Sequence, residues 1–272
     1  MKNNILSISI VDKIIGMAPY MCEGDFADRI RYAHDLGFTG VEINIADPAK
    51  LDLSIIRAAL EETGMKIVAF GTGRAYVNDK VSLTDPDPDC RANAMKRLRQ
   101  FIDFASEFGS FVILGCIRGN VGPGQTLTEV ESVLGEAMRE LESYAIPKGV
   151  TMIFEPINRY ENNFLCNVAD TSEFIHRENL KGTKILMDTF HMNIEDPDLK
   201  ETILKYGKDV AYVHIADSNR FEPGLGHTDF RTIFNTLNDI GFEGPFDAEC
   251  RTPGDFTQGC KNWIASVKEY LS

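Results

Sequence analysis

The sequence contains few of the features that indicate nucleic-acid, membrane or secreted proteins. Lys and Arg total 28 against 41 Asp and Glu, which gives a net charge of −13, whereas phosphate binding relies on clustered basic residues. No apolar run approaches the ~20 residues of a membrane helix. Residues 5–11 are apolar but too short for a secretory signal, and none of the six cysteines forms a Cys-x-x-Cys pair. These absences predict a cytoplasmic protein without nucleic-acid or membrane partners.

Two nucleotide-binding fingerprints are also missing. No strand-like run is followed by Gly-x-Gly-x-x-Gly at the start of a helix, and Gly-x-x-x-x-Gly-Lys-Ser/Thr does not occur. An open, doubly wound sheet that binds a nucleotide is therefore disfavoured. No low-complexity linker divides the 272 residues, a length close to the about 250 residues typical of one (β/α)8 barrel.

Eight strand-like apolar runs alternate with eight segments of helical periodicity. The predicted strands are residues 5–10, 40–45, 66–70, 110–115, 150–155, 184–188, 210–214 and 245–249. The predicted helices are residues 25–36, 53–62, 90–108, 127–144, 168–178, 197–206, 229–237 and 256–271, and residues 71–89 are predicted to be a loop. Alternation of strands and helices predicts a parallel sheet, and eight units predict closure. We therefore predict an α/β fold with one (β/α)8 TIM barrel spanning residues 1–272.

Each of the last four predicted strands ends on a possible metal ligand. Glu155 ends an apolar run and precedes Pro156, which has no N–H to continue a strand ladder. Asp188, His214 and Glu249 end the next three strands. The C-terminal strand ends of a barrel meet at one mouth, and three carboxylates with one imidazole suit Mn²⁺, Mg²⁺ or Co²⁺. The four residues predict one divalent-metal site, although each alone could cap a helix, pair with an arginine or belong to the core.

The segments around these strand ends resemble the xylose-isomerase-like sugar isomerases and epimerases. The matching segments are EPINRYE at 155–161, MDTFHMN at 187–193, VHIADSNR at 213–220, AE at 248–249 and, more weakly, GVE at 40–42. The resemblance implies a sugar substrate, a dimer or tetramer, and metal ligands at Glu155, Asp188, His214 and Glu249. It also implies substrate contacts at Glu161, His191 and Arg220. Residues 71–76, 117–119 and 223–227 look most like the 5-keto-L-gluconate epimerases, which interconvert 5-keto-L-gluconate and D-tagaturonate.

An epimerase removes a proton from a carbon next to a carbonyl and returns it to the opposite face. Glu155 and Glu249, from opposite sides of the mouth, are the natural acid and base. A bound metal, Mn²⁺ first with Co²⁺ or Mg²⁺ as alternatives, would stabilise the enediolate. Glu161 could keep the proton donor protonated by sharing a hydrogen bond.

Two arginines and one glutamate complete the predicted mouth. Arg74 and Arg118 follow strands three and four, and a planar guanidinium suits a substrate carboxylate. The alternative for both arginines is an ion pair or a loop brace. Glu42 either lines the mouth or orients another side chain.

The prediction is a metal-dependent epimerase of a keto-sugar acid. A neutral ketose 3-epimerase and a ketose–aldose isomerase are the nearest alternatives. An apurinic endonuclease on the same barrel is a remote one, because the chain has only five His and a net charge of −13.

Overall fold

The protein forms a closed barrel of eight parallel strands surrounded by helices, which confirms the predicted fold. The computed structural model describes residues 4–16, 18–20 and 22–272. Each strand pairs with the next, and the first pairs with the last to close the ring. The strands are β1 (Leu6–Val11), β2 (Gly40–Asn44), β3 (Lys66–Gly71), β4 (Phe111–Leu114), β5 (Met152–Phe154), β6 (Thr183–Asp188), β7 (Val210–His214) and β8 (Phe246–Ala248). A two-residue strand, Cys22–Glu23, pairs with the end of β1.

Helices connect the strands around the outside of the ring. They are α1 (Phe26–Leu36), α2 (Leu53–Thr63), α3 (Gly73–Asp79), α4 (Pro88–Phe108), α5 (Leu127–Ala145), α6 (Val168–Arg177), α7 (Thr189–Glu195), α8 (Leu199–Tyr206), α9 (Phe230–Asp239) and α10 (Phe256–Leu271). Gly37 ends α1 in the left-handed conformation, at φ 101°, as the sequence predicted. Among the described residues, no helix combines the length and the apolar character needed to cross a membrane.

Within the described residues, two short α-helices were not predicted, and both lie at the C-terminal mouth of the barrel. The helix α3 falls within the predicted loop 71–89, where two glycines in Gly71-Thr72-Gly73 lower the local helix propensity. The helix α7 begins directly after Asp188, whose side chain accepts from the N–H groups of Phe190 and His191. The strand β5 is also shorter than predicted and covers Met152–Phe154.

The interior of the barrel has an apolar part and a polar part. Six buried side chains form the apolar part: Val68, Ala69, Ile113, Ile153, Leu186 and Tyr212. The polar part lies on β1, β2 and β8, where Ser7, Ser9, Glu42 and Asp247 are at most 1% exposed. A larger apolar cluster fills the space between the strands and the helices. The polar part lies beside His214, which ends β7.

Candidate metal centre and active site

The four strand-end residues converge at the mouth of the barrel. Glu155, Asp188, His214 and Glu249 each offer one ligand atom, and these four atoms lie within 4.8 Å of one another. The Nδ1 atom of His214 lies 3.2 Å from Glu249, 3.6 Å from Asp188 and 3.8 Å from Glu155. Each residue is at most 8% exposed. The convergence follows from topology, because each side chain stands at or just past the C-terminal end of one of the strands β5 to β8.

The electrostatics of this cluster suit a cation. Burial raises the pKa of Glu155 well above its usual value, and the charges of Glu249 and Asp188 raise it further. Burial would lower the pKa of His214, but Glu249 and Glu42 hold that pKa well above its usual value. Without a metal, protonation of Glu155 and His214 is therefore favoured, at the position where a metal would supply positive charge. Oxygen donors with one imidazole nitrogen fit a divalent ion such as Mn²⁺, Co²⁺ or Mg²⁺.

Asp188 uses its two carboxylate oxygens separately. Oδ1 accepts from the N–H groups of Phe190, at 2.8 Å, and His191, at 3.4 Å, and so caps α7. Oδ2 faces His214 and Arg220 in the ligand cluster. Burial alone would raise the pKa of Asp188, but Arg220 and His191 hold it below its usual range. The capping and ligand interpretations of this strand-end aspartate are therefore compatible.

Arg220 is buried against two of the predicted ligands. Its guanidinium donates to Asp188 and to Glu249, and it lies 4.8 Å from the centroid of the Phe190 ring. The backbone of Arg220 has φ 65°, a left-handed conformation that is uncommon for a residue with a long side chain. Such conformations cost about 1–3 kcal/mol and concentrate at functional sites. The structure thus brings Arg220 to the cluster, where the resemblance predicts a substrate contact.

Asn158, which the sequence reasoning missed, organises two other predicted substrate contacts. Its Oδ1 accepts from the N–H of Tyr160 at 2.9 Å, so its amide nitrogen faces Glu161 at 2.9 Å and Nδ1 of His191 at 2.7 Å. Burial lowers the pKa of His191 to about 4, which keeps the ring neutral. Nδ1 therefore accepts and Nε2 carries the proton, 3.8 Å from Glu155. His191 thus points an N–H donor toward the ligand cluster.

Glu42 lies beneath the cluster in the polar part of the barrel interior. Its Oε2 is 3.0 Å from Nε2 of His214, and its Oε1 accepts from Ser9 and Asn44. Ser9 also lies 2.8 Å from Asp247, whose pKa is raised to about 7 by burial and by Glu42. The Ser9 hydroxyl has one proton and can donate it to only one of the two carboxylates. The raised pKa of Asp247 fits this shortage of donors, because it favours a proton on that carboxylate. The weak GVE signal at 40–42 indicated Glu42 but gave no sign of Ser9 or Asp247.

A cavity of about 490 Å³ opens above the ligand cluster. Its lining includes Glu155, Glu161, His191, His214, Arg220 and Glu249 from the predicted site, together with Tyr20, Asn44, Cys116 and Phe190. Arg251 also lines the cavity and was missed by the sequence reasoning. It stands two residues beyond Glu249, and the period-two alternation of a strand is the one signal that could have indicated it. The cavity thus joins three of the four predicted ligands, Glu155, His214 and Glu249, to the predicted substrate contacts named above.

The two loop arginines have different positions. Arg74 lines the cavity, its side chain is 7% exposed, and its guanidinium donates to Asp12 at 2.9 Å and to the Lys13 carbonyl at 3.0 Å. Its Nε atom is buried without a hydrogen-bond partner. Arg74 therefore forms an ion pair and also lines the cavity.

Arg118 is not brought to the cavity, which corrects the prediction that it binds substrate. It is fully buried, and its guanidinium donates to the Glu155 carbonyl at 2.7 Å and to the carbonyls of Phe164 and Leu165 at 3.3 and 3.4 Å. The guanidinium also lies over the rings of Phe154 and Phe164. Burial lowers its pKa to about 10, so the side chain remains charged at neutral pH. Arg118 is the loop brace that the sequence left open as the alternative.

Comparison with known proteins identifies the family. Residues 30–269 match the xylose isomerase-like TIM barrel family. The chain is 30% identical over 215 residues to L-ribulose 3-epimerase from Methylomonas sp. strain DH-1, with 78% of this chain and 74% of the relative covered. It is 28% identical over 229 residues to 3-dehydro-D-guloside 4-epimerase from Escherichia coli strain K12, with 80% and 84% covered.

A solved structure gives the same fold. The apo form of E. coli 3-keto-D-glucoside 4-epimerase superposes with a TM-score of 0.85, covering 98% of this chain and 100% of that one at 22% identity. The match to the family extends over most of the chain, including all four predicted ligand positions. The resemblance seen at the strand ends is therefore confirmed, and the chain belongs to the xylose isomerase-like TIM barrel family.

Proposed function

We propose that the chain is a divalent-metal-dependent epimerase that inverts a carbon next to the carbonyl of a keto-sugar. The observation that carries this proposal is the pair Glu155 and Glu249 beside His214 and Asp188, at the floor of one cavity. The matched relatives are named as epimerases of ketoses and keto-sugars, which supports the same enzyme class. A binding module without catalysis would have no need of two carboxylates at the floor of a cavity.

The proposed chemistry needs one ionised carboxylate that accepts a proton from the substrate and one protonated carboxyl group that donates a proton to it. One of Glu155 and Glu249 removes the proton from the carbon next to the carbonyl, and the other returns a proton to the opposite face. Microscopic reversibility exchanges these roles in the reverse direction. A divalent ion held by Glu155, Asp188, His214 and Glu249 would polarise the carbonyl oxygen and stabilise developing negative charge. Among Mn²⁺, Co²⁺ and Mg²⁺, we expect Mn²⁺, because the set mixes carboxylates with an imidazole.

Other residues would bind and orient the substrate. The Nε2–H of His191 is positioned to donate to a substrate oxygen, since Asn158 already occupies Nδ1. Glu161 is exposed at the rim of the same cavity and can accept from a sugar hydroxyl. Arg220 can donate to a substrate oxygen when a bound metal neutralises the carboxylates of Asp188 and Glu249. Fixing the reacting carbon between two glutamates is the main task of these contacts.

We further propose that the substrate is a keto-sugar acid of the 5-keto-L-gluconate or D-tagaturonate type. The support is Arg74, a buried cation in the cavity wall with one donor that has no partner. A guanidinium in the cavity wall suits a carboxylate, to which it can donate charge-assisted hydrogen bonds. Arg251 adds a second guanidinium to the same wall.

A neutral ketose 3-epimerase is the second candidate. The names of several relatives, including the ketose 3-epimerase of Arthrobacter globiformis, favour it. The two candidates share the proton transfer and differ in whether a carboxylate is bound. A ketose–aldose isomerase would instead move the carbonyl. We expect a cytoplasmic homo-oligomer, a dimer or tetramer, with the whole chain as one domain.

One experiment tests the class and the substrate together. The Mn²⁺-loaded protein is incubated in D₂O with neutral ketoses and keto-uronates, and NMR follows deuterium exchange and inversion at the carbon next to the carbonyl. We expect inversion of a keto-uronate and loss of exchange in both Glu155→Gln and Glu249→Gln. Appearance of an aldose would indicate the isomerase instead. Absence of exchange with every substrate would refute the epimerase proposal.

The substrate acid is tested by one arginine and a matched control. Arg74→Met should lower kcat/KM for the keto-uronate by about 10-fold or more, as expected for loss of a charge-assisted hydrogen bond, and leave a neutral ketose little affected. Arg97→Met removes a partly buried arginine that pairs with Asp79 outside the cavity lining, and should affect neither. Equal losses for acid and neutral substrates in Arg74→Met would remove the acid from the proposal.

A further inference from the structure

We propose that Glu42 is a positioning residue that fixes the tautomer and orientation of His214 for metal binding. This inference rests on the metal site of the proposed function. The carboxylate of Glu42 is 1% exposed and lies directly beneath the ligand cluster. It is held there by a chain of buried hydrogen bonds that spans β1, β2 and β8.

The two nitrogens of His214 have separate partners. Nε2 lies 3.0 Å from Oε2 of Glu42, while Nδ1 faces Glu155, Asp188 and Glu249. A carboxylate accepts hydrogen bonds, so the Nε2–H is the donor in this pair. In a neutral imidazole that leaves the lone pair on Nδ1, directed at the other three ligands. Glu42 therefore selects the tautomer in which His214 can bind a cation.

Glu42 is itself held in place by neutral donors. Its Oε1 accepts from the amide of Asn44 at 2.8 Å and from the hydroxyl of Ser9 at 3.0 Å. The hydroxyl of Tyr20 lies 3.3 Å from Oδ1 of Asn44, which turns the amide nitrogen toward Glu42. Residue 71 must be glycine here, because a Cβ would lie 1.8 Å from Oδ1 of Asn44. The support around Glu42 thus extends to the neighbouring strand β3.

The geometry argues against Glu42 as a direct ligand of a second ion. Glu42, His214 and Asp247 do offer atoms within 4.8 Å of one another. However, the Ser9 hydroxyl bridges the two carboxylates, at 3.0 Å from Glu42 and 2.8 Å from Asp247. An ion in that position would have to displace this hydroxyl and take the proton from Nε2. The bridging serine makes Glu42 a support for one metal centre.

Metal titration of the full chain tests the proposal. The chelator-stripped protein is titrated with Mn²⁺ by calorimetry, and we expect one ion per chain. Loss of such a supporting partner typically weakens metal binding by about 10–100-fold, and we expect this loss for Glu42→Met. Glu42→Gln should fall between Glu42→Met and the unchanged protein, because its amide oxygen can still accept from Nε2–H. Ser9→Ala should give a smaller loss in the same direction.

Asp209→Asn is a matched control on the outer surface. Asp209 accepts from Nε2 of His176 at 2.9 Å, so this change weakens a similar histidine–carboxylate hydrogen bond away from the cavity. Its Mn²⁺ affinity should be unchanged. A Glu42→Met protein that does not fold leaves the comparison to Glu42→Gln and Ser9→Ala, whose side chains are close in size to the originals.

A spectroscopic signature separates positioning from a general structural effect. With ¹⁵N-labelled histidine and Zn²⁺ as a diamagnetic probe, His214 should show a downfield Nε2–H signal that is lost in Glu42→Met and shifted in Glu42→Gln. Unchanged affinity and an unchanged His214 signal in both variants would overturn the role of Glu42. Two ions per chain, one of them lost with Glu42, would also overturn it. Failure of the unchanged protein to bind any divalent ion would refute the metal-dependent function itself.

Discussion

Arg220 provides a test of the metal centre that does not depend on knowing the substrate. Its guanidinium donates to Asp188 and Glu249, two of the four predicted ligands, and all three side chains are at most 10% exposed. In the metal-free protein, Arg220 is the nearest fixed cation to these carboxylates. In the loaded protein, the metal would supply that charge. The cost of removing Arg220 should therefore depend on whether metal is bound.

The magnitude follows from the buried pairs. Removing one partner of a buried ion pair costs about 3–5 kcal/mol, because the other charge remains buried and uncompensated. At about 2–4 °C per kcal/mol for a chain of this size, Arg220→Met should lower the Tm of metal-free protein by roughly 6–20 °C. With metal bound, the main loss is the contact with the Phe190 ring, worth about 1–2 kcal/mol, or roughly 2–8 °C.

Calorimetric melting of the chelated and the Mn²⁺-saturated protein measures both deficits. Arg97→Met is the control, because Arg97 pairs with Asp79 at 2.7 Å and its side chain is 17% exposed, outside the cavity lining. Its Tm deficit should be the same with and without Mn²⁺. If Arg220→Met also showed equal deficits in the two states, the charge of Arg220 would have no connection to a bound metal.

Two further predictions concern other parts of the structure. A Cβ on Gly115 would lie 2.7 Å from Oε2 of Glu155, so Gly115→Ala should displace that carboxylate. Because misplacement by about 1 Å can cost about 100-fold in rate, we expect epimerisation to fall by about 10–100-fold. Inversion is measured by NMR, and the Tm shows whether the variant remains folded. Unchanged turnover would contradict the position of Glu155. Burial raises the pKa of Asp196 from 3.8 to about 6, so the folded state binds more protons, and this residue's contribution to stability falls as pH rises from about 4 to 6. Asp196→Asn should remove that decline and raise the free energy of unfolding above pH 6 by about 1–3 kcal/mol relative to the unchanged protein. Urea unfolding at pH 4.5 and 7.5 measures this difference. A difference in stability that is independent of pH would contradict the raised pKa.

The strand ends could be predicted because their positions follow from topology alone. In a parallel barrel, the C-terminal end of every strand reaches the same mouth, so Glu155, Asp188, His214 and Glu249 needed only correct strand boundaries. The boundaries were short or long by a few residues, as for β5, but each of these residues still stood at or just past the end of its strand. The periodicity therefore sufficed to predict the fold and the convergence of these four residues.

Of the polar network beneath the site, the sequence indicated Glu42 but neither Ser9 nor Asp247. Ser9 and Asp247 come from β1 and β8, which adjoin each other only after the ring closes. A serine that alternates with apolar residues in a strand is also typical of a half-exposed sheet. The contact between Ser9 and Asp247, 238 residues apart, depends on closure that no local pattern encodes.

Arg118 shows a different limit of the sequence. Its place in the loop after β4 was predicted correctly, but its direction depends on carbonyls of Phe164 and Leu165, in the loop that follows β5. Gly119, at φ 93°, turns the chain directly after Arg118. Loop position alone therefore does not decide whether an arginine faces the cavity or lies beneath the loop.

The two halves of the chain contribute different residues to the mouth of the barrel. All four predicted ligands stand at or just past the ends of β5 to β8, whereas Tyr20, Asn44, Arg74 and Cys116 in the cavity wall stand at or beyond the ends of β1 to β4. Changes at wall positions of the first half that do not support Glu42 should therefore alter which sugar fits without altering the predicted ligands or the proposed acid–base pair. With this arrangement, a few changes in the loops after β1 to β4 could replace one substrate by another during evolution. Directed evolution of new sugar specificities in this protein should accordingly begin with Ile15, Ala18, Pro19 and Val77, which line the cavity.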